Sequence, residues 1–347
     1  MPVRHVAVGL VGYGISGAIF HAPLIQSVEQ LRLAAVVTSR REQVERELPG
    51  VRIVPGFKEL CNDPGVDLIV VATPTSTHFE IAQAALSAAK HVVVDKPFTL
   101  TVPEADALIA LAASKKRVLS VFQNRRWDSD YLTVGRCVAE GQLGTIYYYE
   151  AHFDRFRPRL KGGWREEAGA GSGTLYDLGA HLIDQALQLF GMPESVSADV
   201  FRQREHAAAD DYFHLILEYG VRRIILHSSM IVRDPGPRFT VHGDLGSFLK
   251  YGIDPQEDAL RAGKRPRDPD WGTDPGDPPG ILTIADGTCV TVPTERGAWQ
   301  TFYERIAAAI LDGAPLPVKP EDARDGLKII EAALRSAEEK RRVCLSR

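Results

Sequence analysis

The first third of the chain alternates short apolar runs with helical patterns. The runs are continuously apolar, which is typical of strands that helices cover on both faces. Strands are predicted at residues 6–11, 33–38, 67–72, 91–95 and 117–122, with a weaker strand near Ile53. Helices are predicted between them at residues 18–27, 40–48, 77–89 and 103–114. The pattern therefore predicts a parallel, doubly wound Rossmann domain over residues 1–123.

The pattern changes after residue 123, where strands begin to follow one another without crossover helices. Strands are predicted at residues 146–153, 195–202, 211–219, 222–232 and 238–242. Helices are predicted at residues 129–140, 174–190, 297–311 and 321–340, with a long loop at 265–280. Residues 124–347 are therefore expected to form an α/β domain with a large, mostly antiparallel open sheet. One face of such a sheet needs cover, so a homo-oligomer is expected through it.

Composition narrows the class of protein. At 347 residues the chain exceeds one typical core, which supports two domains. A net charge of -4 provides no general attraction to nucleic acid or anionic membranes, so neither is expected as a partner. No signal peptide or spanning apolar stretch is seen, and the four cysteines are scattered. These features predict a cytoplasmic protein without a disulfide framework.

A glycine-rich turn follows the first predicted strand and opens a helix. Gly12 suits the tight turn, Gly14 allows phosphate to approach the backbone, and Gly17 permits close packing of helix on strand. Ile15 and Ser16 lie between these glycines, where the first helical N–H groups face the pyrophosphate of a dinucleotide. The motif predicts dinucleotide binding, and an ordinary glycine-rich turn is the alternative.

The end of the second predicted strand indicates which dinucleotide is bound. An NAD site usually has a carboxylate there, whereas this chain has Thr38, Ser39 and Arg40. Hydroxyl and guanidinium groups suit a ribose phosphate, so NADP is predicted, with NAD as the alternative. A solvated helix start would also explain the arginine. The other residues of the expected cofactor site are Thr73, Pro74 and His78, which would line the nicotinamide side, and Lys96, Pro97 and Asn124.

Three residues could carry proton transfer. Asp177 and His181 are four positions apart on a predicted helix, and Lys96 follows a Rossmann strand at the edge where ligands bind. A lysine can stabilise an alkoxide and a histidine can exchange a hydroxyl proton. Asp177 could orient that histidine or bind substrate, although a surface ion pair is the plainer interpretation. Asp184 could equally partner His181.

These motifs together resemble the Gfo/Idh/MocA oxidoreductase family, over essentially the whole chain. The segments that carry the resemblance are residues 8–17, 72–78, 96–97 and 173–184. The resemblance implies that Lys96, Asp177 and His181 form the catalytic site. It also implies a Rossmann domain followed by an α/β domain with an open sheet. Asp95 replaces the glutamate that usually precedes the lysine in this family.

A narrower resemblance, to a polyol-specific subgroup of the family, supports NADP and implies scyllo-inositol as substrate. It rests on residues 20–24, 124–128, 155–158, 164–166 and 251–261. Residues able to meet a polyol, beside or within these segments, are Asn124 (which would also contact the cofactor), Arg125, Arg126, Trp127, His152, Asp154, Arg155, Arg157, Trp164 and Tyr176. Two alternatives stay open: Arg125 and Arg126 could pair with Asp128 and Asp130, and Arg155 and Arg157 could mark a solvated edge.

The sequence therefore predicts a cytoplasmic, NADP-dependent polyol or sugar dehydrogenase. A reductase of another aldose or keto-sugar is one alternative, and a sensor that binds dinucleotide and sugar without turnover is another. Proton-transfer residues argue against the sensor. No metal site is expected, because the sequence offers no plausible cluster of cysteine, histidine and carboxylate ligands.

Overall fold

The computed structural model describes residues 4–345. The strands are β1 (Val6–Val11), β2 (Leu31–Val37), β3 (Arg52–Val54), β4 (Leu68–Val71), β5 (His91–Val94), β6 (Leu119–Val121), β7 (Ile146–His152), β8 (Ser195–Phe201), β9 (Tyr212–Tyr219), β10 (Arg222–Ser229), β11 (Phe239–Gly243), β12 (Gly246–Lys250), β13 (Gly280–Ile284), β14 (Cys289–Val292) and β15 (Val343–Cys344). The α-helices are α1 (Ala22–Ser27), α2 (Arg41–Glu47), α3 (Phe57–Cys61), α4 (His78–Ser87), α5 (Val102–Lys115), α6 (Ser129–Ala139), α7 (Ala180–Phe190), α8 (Gln256–Arg261), α9 (Gln300–Asp312) and α10 (Pro320–Glu339).

The first compact unit consists of residues 1–124, 256–271 and 298–324. Its six strands are all parallel, in the order β3-β2-β1-β4-β5-β6. Every residue of β1 and β4 is buried, as continuous apolar runs require when both faces are covered. This is the predicted doubly wound Rossmann sheet, with β1 and β4 side by side at its centre.

Two segments from late in the chain belong to the first unit. Aromatic packing accounts for this, because Phe122 at the end of β6 lies 5.0 Å from Phe302 of α9, between ring centroids. Trp299 packs edge-on against Phe20, and His21 Nδ1 lies 2.6 Å from the Tyr303 hydroxyl. The unit is therefore discontinuous along the chain, whereas the sequence pattern alone suggests one cut after residue 123.

The second unit consists of residues 125–255, 272–297 and 325–347. Its nine-stranded sheet has the order β14-β13-β12-β11-β7-β10-β9-β8-β15. Only β7 and β10 pair in parallel among these neighbours in the described chain, which confirms the mostly antiparallel sheet. On β7, Tyr149 and Ala151 are buried, whereas Tyr148, Glu150 and His152 on the other face are partly exposed.

Two predicted helices begin differently from a regular α-helix. A π-helical turn, Ser16–His21, precedes α1, and a second, Leu175–Gly179, precedes α7. The sequence pattern predicts uninterrupted helices at both places, because a π turn adds a residue without altering apolar periodicity enough to be noticed. Strands β12, β13, β14 and β15 and helices α3 and α8 are not predicted by the sequence pattern. No helix among residues 4–345 is long and apolar enough to cross a membrane.

Candidate active site

The glycine turn after β1 is shaped by two backbone contacts. Gly12 has φ +99°, and a Cβ there would lie 2.5 Å from the Ala72 carbonyl oxygen. A Cβ on Gly17 would lie 2.1 Å from the Gly12 carbonyl oxygen. A Cβ on Gly14 would meet no protein atom within 4 Å, and the Ile15 side chain beside it is exposed. The turn thus requires glycine at positions 12 and 17, whereas Gly14 leaves open space for a ligand.

At the end of β2, polar side chains remain available to a ligand. Thr38 Oγ1 accepts a hydrogen bond of 2.9 Å from the Arg40 backbone N–H. Ser39 and Arg40 are exposed, and no side chain among residues 4–345 pairs with the Ser39 hydroxyl or the Arg40 guanidinium. Such groups suit a phosphate on the ribose of a dinucleotide.

His78 lies in the core of the first unit, at the start of α4. Its Nε2 is 2.9 Å from the Thr73 carbonyl oxygen, and its Nδ1 is 2.9 Å from that of Pro97. Burial lowers the pKa of the ring, although Asp95 and the carbonyl groups act in the opposite direction. The ring therefore joins the loop after β4 to the Lys96-Pro97 segment, with Pro74 at the intervening turn.

Lys96 follows β5, and its neighbour Asp95 fixes this end of the strand. Asp95 Oδ1 accepts the Lys96 backbone N–H at 2.7 Å, and Oδ2 accepts the Ser16 hydroxyl at 2.5 Å. Burial alone raises the pKa of Asp95, but His21, Lys96 and Ser16 outweigh it and hold the pKa well below its usual range. An ionised Asp95 therefore links the lysine segment to the helix that opens after the glycine turn.

The residues of the first unit fit a bound dinucleotide. The open space at Gly14 leaves room for a pyrophosphate, and the helix that starts at Ser16 offers backbone N–H donors to it. The exposed side chains of Ser39 and Arg40 offer the donors that a ribose phosphate requires. Asn124, at the end of this unit, is buried.

In the second unit, Asp177 lies in the π-helical turn and His181 in the first turn of α7. His181 is buried, and Asp177 is partly exposed. Asp177 Oδ1 accepts a hydrogen bond of 3.1 Å from Nε of Arg165, a residue that the sequence analysis did not select. The Arg165 guanidinium also lies over the Trp164 ring, 4.5 Å from its centroid. Tyr176, beside Asp177, is half-buried, and burial raises the pKa of its hydroxyl.

Arg165 is held in position by the loop that carries it. The Gly173 backbone N–H donates to the Arg165 carbonyl oxygen at 2.9 Å, immediately before the π turn. The next residue, Glu166, accepts a hydrogen bond of 2.9 Å from Arg204 Nη1. Arg204 Nε in turn donates a hydrogen bond of 2.8 Å to the buried carboxylate of Asp211. The loop is thus anchored on both sides of the Arg165–Asp177 pair.

The arginines after residue 124 are engaged with carboxylates. Arg125 Nη1 lies 3.1 Å from Asp128 Oδ2, which agrees with one alternative from the sequence. Arg126 instead binds both carboxylate oxygens of Asp184, at 2.8 and 2.6 Å. Asp130 pairs with Arg238, not with either of them. Trp127, in the same short helical turn, is buried.

Arg155 and Arg157 lie beyond β7, where the backbone continues beside β10. The Arg155 N–H donates to the Ser229 carbonyl oxygen at 2.9 Å, and the Arg157 N–H donates to that of Met230 at 2.7 Å. Both side chains are partly exposed, and the Arg155 guanidinium lies 5.2 Å from the Phe153 ring centroid.

The structure also brings together a histidine–carboxylate cluster that the sequence analysis did not identify. His152 Nδ1 lies 2.8 Å from Asp154 Oδ2, and His227 Nδ1 lies 2.9 Å from Asp154 Oδ1. Sequence reasoning missed it because His227 is on β10, far along the chain, and only strand pairing brings it beside His152. The alternation of Glu150, His152 and Asp154 at spacing two was the available signal.

Burial alone lowers the pKa of His152, but hydrogen bonds to Asp154 and Glu150 outweigh it and raise the pKa to about 9. The hydrogen bond with His152 and the nearby His227 ring similarly overcome burial at Asp154 and lower its pKa.

Comparison with known proteins gives matches along nearly the whole chain. Residues 6–123 match the model of the oxidoreductase family's NAD-binding Rossmann fold, and residues 136–345 match that of its C-terminal alpha/beta domain. The chain is 45% identical to scyllo-inositol 2-dehydrogenase (NADP(+)) IolW of Bacillus subtilis, covering 99% of this chain and 97% of that protein. It is 47% identical to the uncharacterized oxidoreductase YdgJ of Escherichia coli, covering 99% of both.

Solved structures agree. That of yvaA from Bacillus subtilis superposes with a TM-score of 0.96 at 45% identity and covers 100% of both chains. An oxidoreductase from Bacillus cereus superposes with a TM-score of 0.90 at 34% identity, covering 99% of both chains. With both family models matched and the Rossmann and open-sheet units in place, the chain belongs to the Gfo/Idh/MocA family of NAD(P)-dependent oxidoreductases.

Proposed function

We propose that this oxidoreductase interconverts a polyol and its ketone with NADP, and that scyllo-inositol is the polyol. The observation that carries the proposal is the 45% identity, over 99% of the chain, to a relative named scyllo-inositol 2-dehydrogenase (NADP(+)). Another relative, 30% identical over 54% of this chain, is named for NAD(+), so the cofactor needs its own support.

The residues at the end of β2 support NADP as the cofactor. No carboxylate stands at Thr38, Ser39 or Arg40, and the last two side chains have no partner in the described chain. A carboxylate would repel a ribose phosphate, whereas a guanidinium attracts it. The pyrophosphate would be held by the glycine turn after β1, which contains Gly12, Gly14, Ile15, Ser16 and Gly17.

The catalytic roles follow from the chemistry of three side chains. When bound, NADP supplies the hydride acceptor at its nicotinamide ring. Lys96 stabilises the negative charge that develops on the substrate oxygen, and His181 accepts the hydroxyl proton. Asp177 binds a neighbouring substrate hydroxyl and, through its pair with Arg165, is held in one orientation. In the reductive direction His181 returns the proton.

The substrate proposal rests on shape and polarity. All hydroxyl groups of scyllo-inositol are equatorial, so both ring faces are apolar and the rim is polar. Trp164 and Tyr176 offer flat surfaces, and their chain neighbours Arg165 and Asp177 offer a donor and an acceptor. We propose that Arg125, Arg126 and Trp127 support the residues that contact the substrate. The guanidiniums of Arg125 and Arg126 already bind carboxylates of the protein. An axial hydroxyl would leave a buried group unpaired, which costs about 1–3 kcal/mol.

We also propose that the chain forms a homo-oligomer through the C-terminal sheet. Phe201 and Ile281, on β8 and β13, are exposed apolar residues of that sheet. Light scattering after gel filtration measures the mass of the assembly, and a monomer would contradict this part of the proposal.

One experiment tests the enzymatic proposal. Purified protein is supplied with scyllo-inositol, myo-inositol, glucose or no polyol, with NAD and NADP in parallel, and cofactor reduction is followed by absorbance. The expected order is scyllo-inositol over myo-inositol over glucose, with NADP preferred. Equal rates on the two inositols would remove the stereochemical argument. Activity on another sugar alone would support the alternative reductase, and saturable binding of sugar and dinucleotide without turnover would support the sensor.

A further inference from the structure

Three of the ten histidines meet on the partly exposed face of the nine-stranded sheet. His152 of β7 and His227 of β10 are paired in register, with ring centroids 4.9 Å apart. His214 of β9 is opposite His227, with centroids 5.8 Å apart. Asp154 lies at the centre, 2.8 Å from His152 Nδ1 and 2.9 Å from His227 Nδ1. One nitrogen or oxygen atom from each of His152, Asp154 and His227 lies within 4.8 Å of the others.

The charge at this cluster favours a cation. Glu150 and Asp154 contribute two carboxylates, and histidines are their only ionic partners among the residues that the structure describes. No lysine or arginine of residues 4–345 neutralises either carboxylate. A structural ion-pair network would more commonly use those permanently charged side chains. Imidazole and carboxylate groups together are instead a ligand set for divalent transition metals.

The surroundings of the cluster match those of a metal centre. His152 Nε2 lies 2.8 Å from Glu150 Oε1, and Glu150 Oε2 accepts a hydrogen bond from the Tyr148 hydroxyl. A carboxylate on the second ring nitrogen orients a metal-bound histidine and raises its basicity. The Ser229 backbone N–H donates to Asp154 Oδ1 at 2.9 Å, which fixes the carboxylate. All these residues lie on or directly beside paired strands, so the geometry is rigid.

We propose that His152, Asp154 and His227 bind one divalent transition-metal ion of the Zn²⁺ class. Zinc bonds of about 2.0–2.2 Å place tetrahedral ligand atoms roughly 3.3–3.6 Å apart, so both nitrogen–oxygen distances open by about half an ångström. The ion replaces any proton on the Nδ1 atoms of His152 and His227, and these protons pass to solvent or to the other ring nitrogen. Asp154 is buried, and the His152 and His227 side chains are 26% and 15% exposed within one chain.

The test measures metal binding directly, independently of enzyme activity. Tag-free protein is stripped with a chelator, dialysed and titrated with Co²⁺ and with Zn²⁺, using the visible Co²⁺ absorption and calorimetry. The variants are His227→Ala, His152→Ala and Glu150→Gln. His206→Ala is the control, since it removes an exposed histidine of the same unit that lies outside the cluster and pairs with Glu205. Circular dichroism and the melting temperature of each metal-free variant establish that it is folded.

We expect one ion per chain in the wild type and in His206→Ala, with a higher melting temperature when Zn²⁺ is present. Each ligand variant should weaken binding by at least about tenfold, and Glu150→Gln by roughly ten- to a hundredfold. Failure of the wild type to bind either ion would overturn the proposal and leave a network of shared protons. Binding that a folded His227→Ala retains at full affinity would also overturn it.

Discussion

Arg165 Nε donates to Asp177 Oδ1 at 3.1 Å, so the carboxylate proposed for catalysis has a cationic partner twelve residues earlier. Both side chains are partly exposed, 42% and 29%, and pairs of this kind contribute little to folding. The anchoring of the surrounding loop by Glu166 and Arg204 indicates that the pair serves to position Asp177.

Arg165→Ala should therefore lower kcat/KM for the polyol about ten- to a hundredfold, the effect of losing a charged hydrogen bond. NADP affinity and the melting temperature should change little, and Arg165→Lys should restore part of the activity. Steady-state kinetics with varied polyol measures this. Arg52→Ala, which removes the exposed pair with Asp63, is the matched control. An Arg165→Ala enzyme within twofold of wild type would exclude the positioning role.

The second prediction concerns cofactor choice. Replacing Ser39 by Asp together with Arg40→Ala should weaken NADP binding by roughly ten- to a hundredfold, through repulsion and a lost charged hydrogen bond. NAD binding should be unchanged or improved. Fluorescence titration with both reduced cofactors measures the ratio of the affinities. Arg46→Ala, at the far end of α2, is the control. Unaltered discrimination in the double variant would show that NADP is selected elsewhere.

The third prediction separates chemistry from binding. Lys96→Met should abolish turnover and retain NADP binding, because the lysine is proposed to act on the substrate oxygen. His181→Ala should lower kcat by about a hundredfold or more, as for loss of a general base. Single-turnover rates and cofactor titrations distinguish the two effects. A variant with wild-type kcat would remove that residue from the catalytic set.

The fourth prediction concerns Asp210, whose carboxylate accepts the Leu175 N–H at 2.8 Å beside the π turn. Burial raises its pKa to about 6, against hydrogen bonds that act in the opposite direction. Between about pH 4 and 6 the folded state therefore binds more protons than the unfolded state, so this residue's contribution to stability falls as pH rises.

Asp210→Asn should remove that loss. As pH rises from 4 to 7, the free energy of unfolding of the variant minus that of the wild type should increase by about 1–3 kcal/mol. Denaturant unfolding across this range measures the difference, and Glu205→Gln, at an exposed site, is the control. Parallel pH curves for Asp210→Asn and wild type would contradict the prediction.

The fifth prediction concerns the buried pair of Arg126 and Asp184. Arg126→Met should cost about 3–5 kcal/mol of stability, because it breaks a buried ion pair by removing one partner. Adding Asp184→Leu should recover much of the loss. Arg157→Met, at a partly exposed arginine, should cost far less. Thermal and denaturant unfolding measure these differences, and a stable Arg126→Met protein would mean that Asp184 is solvated.

The sequence predicts those parts of the fold that local patterns determine. β1 lies at the predicted residues, and α5 begins at a capping box formed by Thr101 and Glu104 beside the predicted Pro103. The Rossmann order and the mostly antiparallel sheet also agree. Strands β12 and β13 are not predicted although they are as long as β11, and in the structure they pair with each other in the sheet.

Side-chain partners were harder to predict than elements. Arg126 and Asp184 are 58 residues apart, and no local signal connects them. His152 and His227 meet only because β7 and β10 are parallel neighbours, a pairing that a series of antiparallel strands would not suggest. The proposed catalytic residues were selected from motifs, so the sequence names them but cannot supply the contact between Arg165 and Asp177.

The π-helical turn Leu175–Gly179 makes the direction of Asp177 sensitive to insertions and deletions in the chain. Its i→i+5 hydrogen bonding accommodates one residue more than an α-helical turn would. Deleting a single residue there would restore a regular α-helical turn and change the direction in which a residue inside the turn, such as Asp177, leaves the helix. The direction of Asp177 relative to His181 is thus encoded by chain length as well as by residue identity. Insertions and deletions in this turn would redirect the carboxylate while both side chains stayed the same.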